Sequence, residues 1–218
     1  MAKQYHSGNI IIECFTLGPL DVNTYLVYDP EAGDGLIIDP AEDDPRLLKR
    51  LEELAWKTTR IFLTHGHADH IAGLEAVRSA TGATVLCSQE DAPMLGDARL
   101  NLSMFLDAAF TTQPPDRIIG HGDEITLGRE TATVIAVPGH TPGGMALAFR
   151  DAILTGDALF AGSIGRSDFP GGNGAQLVSA IKDRLLPLGD RLVLPGHGPA
   201  TRLAHEAVNN PFLTDDGE

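Results

Sequence analysis

Cysteine is scarce in this chain: two residues, Cys14 and Cys87, among 218. Each sits in an apolar, strand-like run, where a buried free thiol is the ordinary state, so no disulfide is expected and no thiolate is on hand to ligate a metal. Cationic charge is also short. Sixteen Lys and Arg against 30 Asp and Glu give a formal net charge of −14. Nucleic-acid affinity comes mostly from cationic contacts to phosphate, so DNA and RNA are not expected partners and a nuclease starts at a disadvantage. No stretch approaches the roughly 18 apolar residues of a membrane span, and residues 1–9 lack the charged start and apolar run of a secretory signal. The expected location is the cytoplasm, away from any membrane. What remains is ordinary: 43% hydrophobic and 21% charged residues argue against disorder. The 24 glycines and 14 prolines point to many tight loops, and the length suits one globular domain over residues 1–218.

Against that background one stretch stands out. Thr64-His65-Gly66-His67-Ala68-Asp69-His70 places three imidazoles and a carboxylate in six consecutive positions, directly after the apolar run Ile61-Phe62-Leu63. Imidazole and carboxylate are ligands that zinc, iron and manganese all accept. If Thr59 to Leu63 is a strand, His65 and His67 leave its end on the same side, because side chains two apart share a face. If a helix starts near Ala68, Asp69 and His70 occupy its first turn on another side of the same hole. The spacing suggests two adjacent metal positions.

In chain order, Ile10 to Phe15, Thr24 to Tyr28 and Gly35 to Pro40 read as three strands in an antiparallel meander. Asp44-Pro45 reads as a helix start with Asp at the N-cap, Leu47, Leu48, Leu51 and Leu54 fall on one face, and the helix ends near a core Trp56. Ile71 to Ala80 reads as a helix and Ala83 to Cys87 as a strand. From Ser88 to Pro115 the periodicity is poor, with a short helix and a surface excursion around residues 101–110 that is either a lid or a connecting loop. The second half repeats one device, an apolar strand and then a glycine-bearing turn with His or Asp. Thr133 to Val137 runs into His140, Ala152 to Thr155 into Asp157, and Leu192 to Leu194 into His197. Gln176 to Leu186 is an amphipathic helix broken by Pro187, and Gly171-Gly172-Asn173-Gly174 before it is a helix-start turn; it lacks the lysine of a phosphate loop. This alternation fits two sheets packed face to face with helices outside both.

The set His65, His67, Asp69, His70, His140, Asp157 and His197 resembles the ligand set of the metallo-β-lactamase superfamily. Within it the chain is most similar to the short single-domain form of the glyoxalase II-like hydrolases, also called hydroxyacylglutathione hydrolases. The resemblance runs through Pro138 to Gly143, Thr155-Gly156-Asp157, Gly165 to Gly171, Pro195 to Pro199 and Asn210 to Leu213. It implies an α/β fold, a four-layer αβ/βα sandwich of two mixed sheets with helices on both outer faces, and no separate C-terminal glutathione-binding helical domain. It also implies that His65, His67 and His140 hold one divalent metal, that Asp69, His70 and His197 hold a second, and that Asp157 bridges them. Zinc is the first expectation, with iron or manganese as alternatives. The implied activity is hydrolysis of a small acyl thioester, S-D-lactoylglutathione to D-lactate and glutathione, by a metal-bridging hydroxide that Asp69 helps orient. Two cations about 3.5 to 4 Å apart suit that chemistry, since they acidify a shared water and polarise an acyl carbonyl. Asp39, after a strand and before Pro40, is expected to support a ligating histidine from behind. Arg166 stands about where such enzymes place a lysine for the glutathione carboxylate, so it is either a substrate contact or a structural ion pair. The alternatives are a mononuclear-iron persulfide dioxygenase and another hydrolase of the same fold, a lactonase or phosphoesterase.

Overall fold

Side chains alternate along the strands, and the alternation gives each sheet two buried faces. Along Val22–Tyr28, Tyr25 and Val27 face one apolar cluster and Leu26 another; along Asp34–Ile38, Leu36 and Ile38 face the first and Ile37 the second. A sheet covered on both sides needs near-continuous apolar runs, and Leu36-Ile37-Ile38 and Ile61-Phe62-Leu63 supply them. The structure, a computed structural model, describes residues 2–106 and 109–214.

The first sheet has seven strands in chain order: β1 (Lys3–Ser7), β2 (Ile10–Leu17), β3 (Val22–Tyr28), β4 (Asp34–Ile38), β5 (Thr58–Phe62), β6 (Thr84–Cys87) and β7 (Arg117–Ile118). β1 to β4 form the antiparallel meander, and β4 to β7 run parallel. Next along the chain come β8 (Glu124–Leu127), β9 (Glu130–Ala136), β10 (Met145–Ala148) and β11 (Ala152–Gly156), then a small hairpin of β12 (Leu159–Phe160) and β13 (Ser163–Ile164). β14 (Leu192–Pro195) and β15 (Thr201–Arg202) complete the second sheet, in the order β15-β14-β11-β10-β9-β8.

The inner faces of the two sheets share one core, from Ile12, Tyr25, Val27 and Phe62 to Val134, Leu147, Leu154 and Leu194. Outside the first sheet, α1 (Pro45–Leu54) brings Leu47 and Leu51 onto Leu26, Ile37 and Ile61. A one-turn helix α2 (Ala68–Ile71) and then α3 (Leu74–Thr81) add Ile71, Leu74 and Val77. Beyond the short α4 (Ala92–Leu95), the second sheet is covered by α5 (Gly174–Ala180), its π-helical continuation Ile181–Leu185, and α6 (Leu203–Asn209), whose Leu177, Ile181, Leu185 and Leu203 pack on Ile135, Ala146 and Ile153. This is the four-layer αβ/βα sandwich. Among the described residues no helix is long and apolar enough to cross a membrane, and Cys14 and Cys87 are free and buried.

Local chemistry explains the boundaries. Asp44 caps α1, its Oδ1 accepting from Arg46 N at 2.7 Å with Pro45 as the first helical residue, and Ala55 ends the helix at φ 47°. Trp56 then packs on the outer core, 5.5 Å from the Tyr28 ring, over Gly35, where a Cβ would collide with the indole. Two expected helices differ in detail. The segment expected as one helix from Ile71 divides into α2 and α3, because the chain turns at Gly73, whose missing side chain lets the backbone of Glu42 approach. The helix expected at Gln176–Leu186 starts at Gly174, since Asn173 caps it by accepting from Gln176 N at 3.0 Å, and widens to a π turn before Pro187.

Candidate metal centre

β11 and β14 run parallel, and β9 is antiparallel to β10, itself antiparallel to β11, so β9, β11 and β14 all point the same way. Their C-terminal ends therefore open on one edge, and the turns after them carry His140, Asp157 and His197. The fourth turn comes from the other sheet. β5 leads into Thr64 to His67, and Met145 N donates to the Thr64 carbonyl at 2.8 Å, stitching the two sheets at that point. The start of β3 braces the turn after β14: Asn23 N donates to the Gly196 carbonyl at 2.7 Å, and Tyr25 Oη to the Pro195 carbonyl at 2.7 Å. Gly196 has to be glycine, because a Cβ there would meet Asp157 Oδ1 and His70 Cε1.

All seven expected ligands converge. His65, His67 and His140 bring one nitrogen each within 4.8 Å of one another, and Asp69, His70 and His197 do the same with a carboxylate oxygen and two nitrogens. His67 Nδ1 lies 2.9 Å from His140 Nε2, and His70 Nε2 lies 3.4 Å from His197 Nε2. Asp69 Oδ2 is 3.4 Å from His197 Nε2. Asp157 sits between the triads: Oδ1 is 3.3 Å from His70 Nε2, while Oδ2 is 3.6 Å from His140 Nε2 and 3.5 Å from His197 Nε2.

In four of the five histidines the ring nitrogen facing away from this point is held. His65 Nδ1 meets Thr64 Oγ1 at 3.1 Å, His140 Nδ1 donates to the Arg166 carbonyl at 2.7 Å, His197 Nδ1 to the Leu20 carbonyl at 3.0 Å, and His70 Nδ1 pairs with Asp39 Oδ2 at 2.9 Å. Such outer partners fix the ring orientation and raise ligand basicity. By contrast His65 Nε2 and Asp157 Oδ1 are buried and make no hydrogen bond. Buried polar atoms left without hydrogen bonds are rare, and two of them within one cluster of metal-type donors fit a site built for cations.

Asp39 also lies near His65 and His70 as a third possible donor set. Its oxygens are already engaged, however. Oδ1 accepts from Thr64 N at 2.7 Å, and Oδ2 from Thr64 Oγ1 at 2.6 Å as well as from His70. Asp39 is thus a support behind the histidines, held at a left-handed φ of 48°, and through Thr64 it steadies His65 as well as His70.

Charge divides the site. Burial, then the neighbouring rings His70, His67 and His140, hold His65 well below the ordinary imidazole range, and burial followed by His140 takes His67 down to about 3. These two are neutral and ligand-ready. Burial also opposes the charge on His70, yet Asp157, Asp69 and Asp39 outweigh it and raise His70 well above its ordinary value. For His197 burial is again opposed, by hydrogen bonds to Asp157 and Asp69, and the result is about 10. Burial works against ionisation of Asp157 and Asp69 too, but the adjacent imidazoles hold Asp157 well below its ordinary value and lower Asp69.

One residue the sequence did not single out proves central. Asp91, fully buried, accepts from Thr141 Oγ1 and Gly143 N, both at 2.7 Å, and from Gly66 N at 3.2 Å. It ties the His65/His67 turn to the His140 turn. Its sequence surroundings, Glu90-Asp91-Ala92-Pro93, look like a helix start, and nothing there signals burial.

The centre floors a cavity of about 610 Å³. Its walls are the segment 101–106, which hydrogen-bonds to the site through Ala68 N and the Asn101 carbonyl at 2.8 Å, and the β12–β13 hairpin with the turn that follows it. The excursion expected around 101–110 is therefore a wall of the cavity, though residues 107 and 108 lie outside the described residues. Arg166 reaches the cavity edge, but its Nε and Nη2 bind Asp168 Oδ1 and Oδ2 at 2.7 and 2.6 Å, and its guanidinium stacks on Phe169 at 3.8 Å. Of the two roles expected for Arg166, the ion pair is formed.

A two-sheet sandwich with this donor set at its edge defines a metallo-hydrolase fold, and comparison with known proteins gives the family. Residues 17–197 match the metallo-beta-lactamase superfamily, and the chain belongs to it, as a glyoxalase II-like member. It is 37% identical over 202 residues to the probable metallo-hydrolase YqgX of Bacillus subtilis, covering 90% of this chain and 94% of that one. It is 34% identical over 215 residues to the hydroxyacylglutathione hydrolase GloC of Haemophilus influenzae, covering 93% and 97%. Among solved structures it resembles the BLEG-1 B3 metallo-beta-lactamase, with a TM-score of 0.87 and 34% identity over 99% of this chain and 100% of that one. A di-iron-bound form of TTHA1623 is similar at a TM-score of 0.80 and 36% identity, over 92% and 99%.

Proposed function

We propose that this protein is a metal-dependent hydrolase of small acyl thioesters, with S-D-lactoylglutathione as the first substrate to test. One observation carries the reading: seven donor side chains converge on the floor of a cavity, with four of the five outer ring nitrogens held and two inner atoms left without hydrogen bonds. His65, His67 and His140 would hold one divalent ion, Asp69, His70 and His197 a second, and Asp157 would face both. The likeness to GloC supports the substrate class; the di-iron form of TTHA1623 supports iron beside zinc as an occupant.

Bound there, a pair of ions would supply Lewis acidity for the acyl carbonyl and a water acidified to near neutral pH. The chain's own part follows from its geometry. The reaction forms a carbon–oxygen bond from water and breaks the carbon–sulfur bond, with the electron pair leaving on sulfur. A thiolate leaves with little need of a proton donor. Asp69, whose Oδ2 lies 3.4 Å from His197 Nε2 and 3.8 Å from His70 Nε2 on the cavity floor, orients the attacking water, whose proton passes to solvent. Asp39 and Asp91 hold the ring-bearing turns so that geometry is not lost between turnovers. The test is thiol release from S-lactoylglutathione by metal-loaded protein and its disappearance on chelation. Release unaffected by a chelator that strips the metal would contradict the reading.

A further inference from the structure

The walls above the metal centre are apolar to a degree that the chemistry below does not require. Leu20, Phe105, Leu106, Phe160, Ile164 and Phe169 line the cavity. Of the eight large hydrophobic side chains left exposed among the described residues, three stand at this one mouth: Leu20 at 53%, Phe105 at 75% and Leu106 at 49%. Exposed apolar groups gathered at one place mark a binding surface.

Cationic groups are scarce on the same walls. Apart from the histidines of the centre, Arg166 is the one cation among the described lining residues, and its Nε and Nη2 are engaged by Asp168. Glutathione carries two carboxylates. A site that gripped it by those groups would need free cationic donors, and a chain of net charge −14 repels an anionic carrier at long range.

We infer that this cavity selects its thioester by apolar contact with an uncharged arm, Phe105 and its neighbours packing on that arm, and not by gripping the carboxylates of a glutathione carrier. The inference rests on the thioesterase reading above and specifies the substrate class within it. Desolvating methylene groups against the rings of Phe105 and Phe169 supplies the affinity, while the metal centre fixes only the reacting carbonyl. Carrier carboxylates placed at this mouth would lose water without gaining a partner, and that penalty is the basis of selectivity.

The test uses the full chain loaded with metal and four substrates: acetyl and hexanoyl thioesters, each on glutathione and on uncharged N-acetylcysteamine. The expected result is kcat/KM at least as high on the uncharged carrier. A rise of about tenfold from acetyl to hexanoyl is also expected, expressed in KM, the size for partial burial of four methylenes. Phe105→Ser, at a solvent-exposed position that the fold does not depend on, should flatten the chain-length dependence. Glutathione thioesters cleaved more than about tenfold faster than their uncharged counterparts, with no dependence on acyl length, would overturn the inference and leave the hydrolase reading standing. No thiol release from any of the four would remove that reading and the inference with it.

Discussion

Asp157 is the residue on which both halves of the centre depend, because its Oδ2 stands 3.6 Å from His140 Nε2 and 3.5 Å from His197 Nε2, one ring from each triad, while Oδ1 faces His70. Its Oδ1, buried without a hydrogen bond, would ordinarily cost the fold dearly, and a bound cation would remove that cost. Asp157→Ala is expected to lose metal at one position, and turnover should fall beyond the roughly 100-fold that removing an outer partner costs. Metal content and thiol release on one sample check it; full metal with near-wild-type turnover would take the shared role from Asp157. Glu13 is a different kind of residue, purely structural. Its carboxylate binds Arg50 through Nε at 2.8 Å and Nη2 at 2.6 Å and accepts from Tyr28 Oη at 2.7 Å. Arg50 lowers its pKa from the usual 4.5, with partial burial opposing. A depressed carboxyl stabilises the fold above its unfolded pKa and loses that stability as pH falls through the folded value. Acid unfolding should therefore steepen below about pH 4.5. Glu13→Gln should lower stability at pH 7 by roughly 2 kcal/mol, the scale of hydrogen bonds to a charged group. The same variant should flatten the acid limb; an unchanged limb in denaturant titrations across pH would show that Glu13 is not linked to unfolding.

At the scale of elements, the centre is a product of turns pinned to one another. Asp91 joins the turn after β5 to the turn after β9, and both of those turns feed only the three-histidine triad. Asp91→Asn puts an amide N–H where either Gly143 N–H or Gly66 N–H now donates, so one backbone contact turns repulsive. The expected outcome is about 10- to 100-fold weaker metal binding at the His65/His67/His140 position, with the Asp69/His70/His197 position retained, as read by stepwise metal titration. Equal weakening of both positions would reduce Asp91 to a general packing role. These pins also explain what the sequence could and could not convey. Ligand types sit in glycine-bearing turns at strand ends, so the seven donors were legible from local pattern. So were β2 to β5 and the Asp44-Pro45 start of α1, where alternation and capping residues speak directly. β10, Met145-Ala146-Leu147-Ala148, was not read as a strand because it contains no β-branched residue and is buried throughout, which removes both propensity and alternation. β1 was missed for the opposite reason: Lys3–Ser7 is a mostly exposed edge strand without an apolar face. Asp91 and Thr64 act through contacts 25 or more positions away, and no single stretch of sequence encodes those.

For the whole molecule, two sheets with a common core bring four turns from both halves of the chain to one edge, and a strongly acidic protein concentrates its donor atoms there. The arrangement of two triads about a shared carboxylate is the central claim, since the thioester chemistry and the roles of Asp69, His70 and His197 stand on it. The measurement that tests it most directly is elemental analysis of protein purified without chelator, with thiol release from S-lactoylglutathione followed on the same sample. Two metal ions per chain with metal-dependent thiol release is the predicted result. One iron per chain, no thiol release and oxygen uptake on glutathione persulfide would contradict it, and would mean that only one metal position is used, in a dioxygenase.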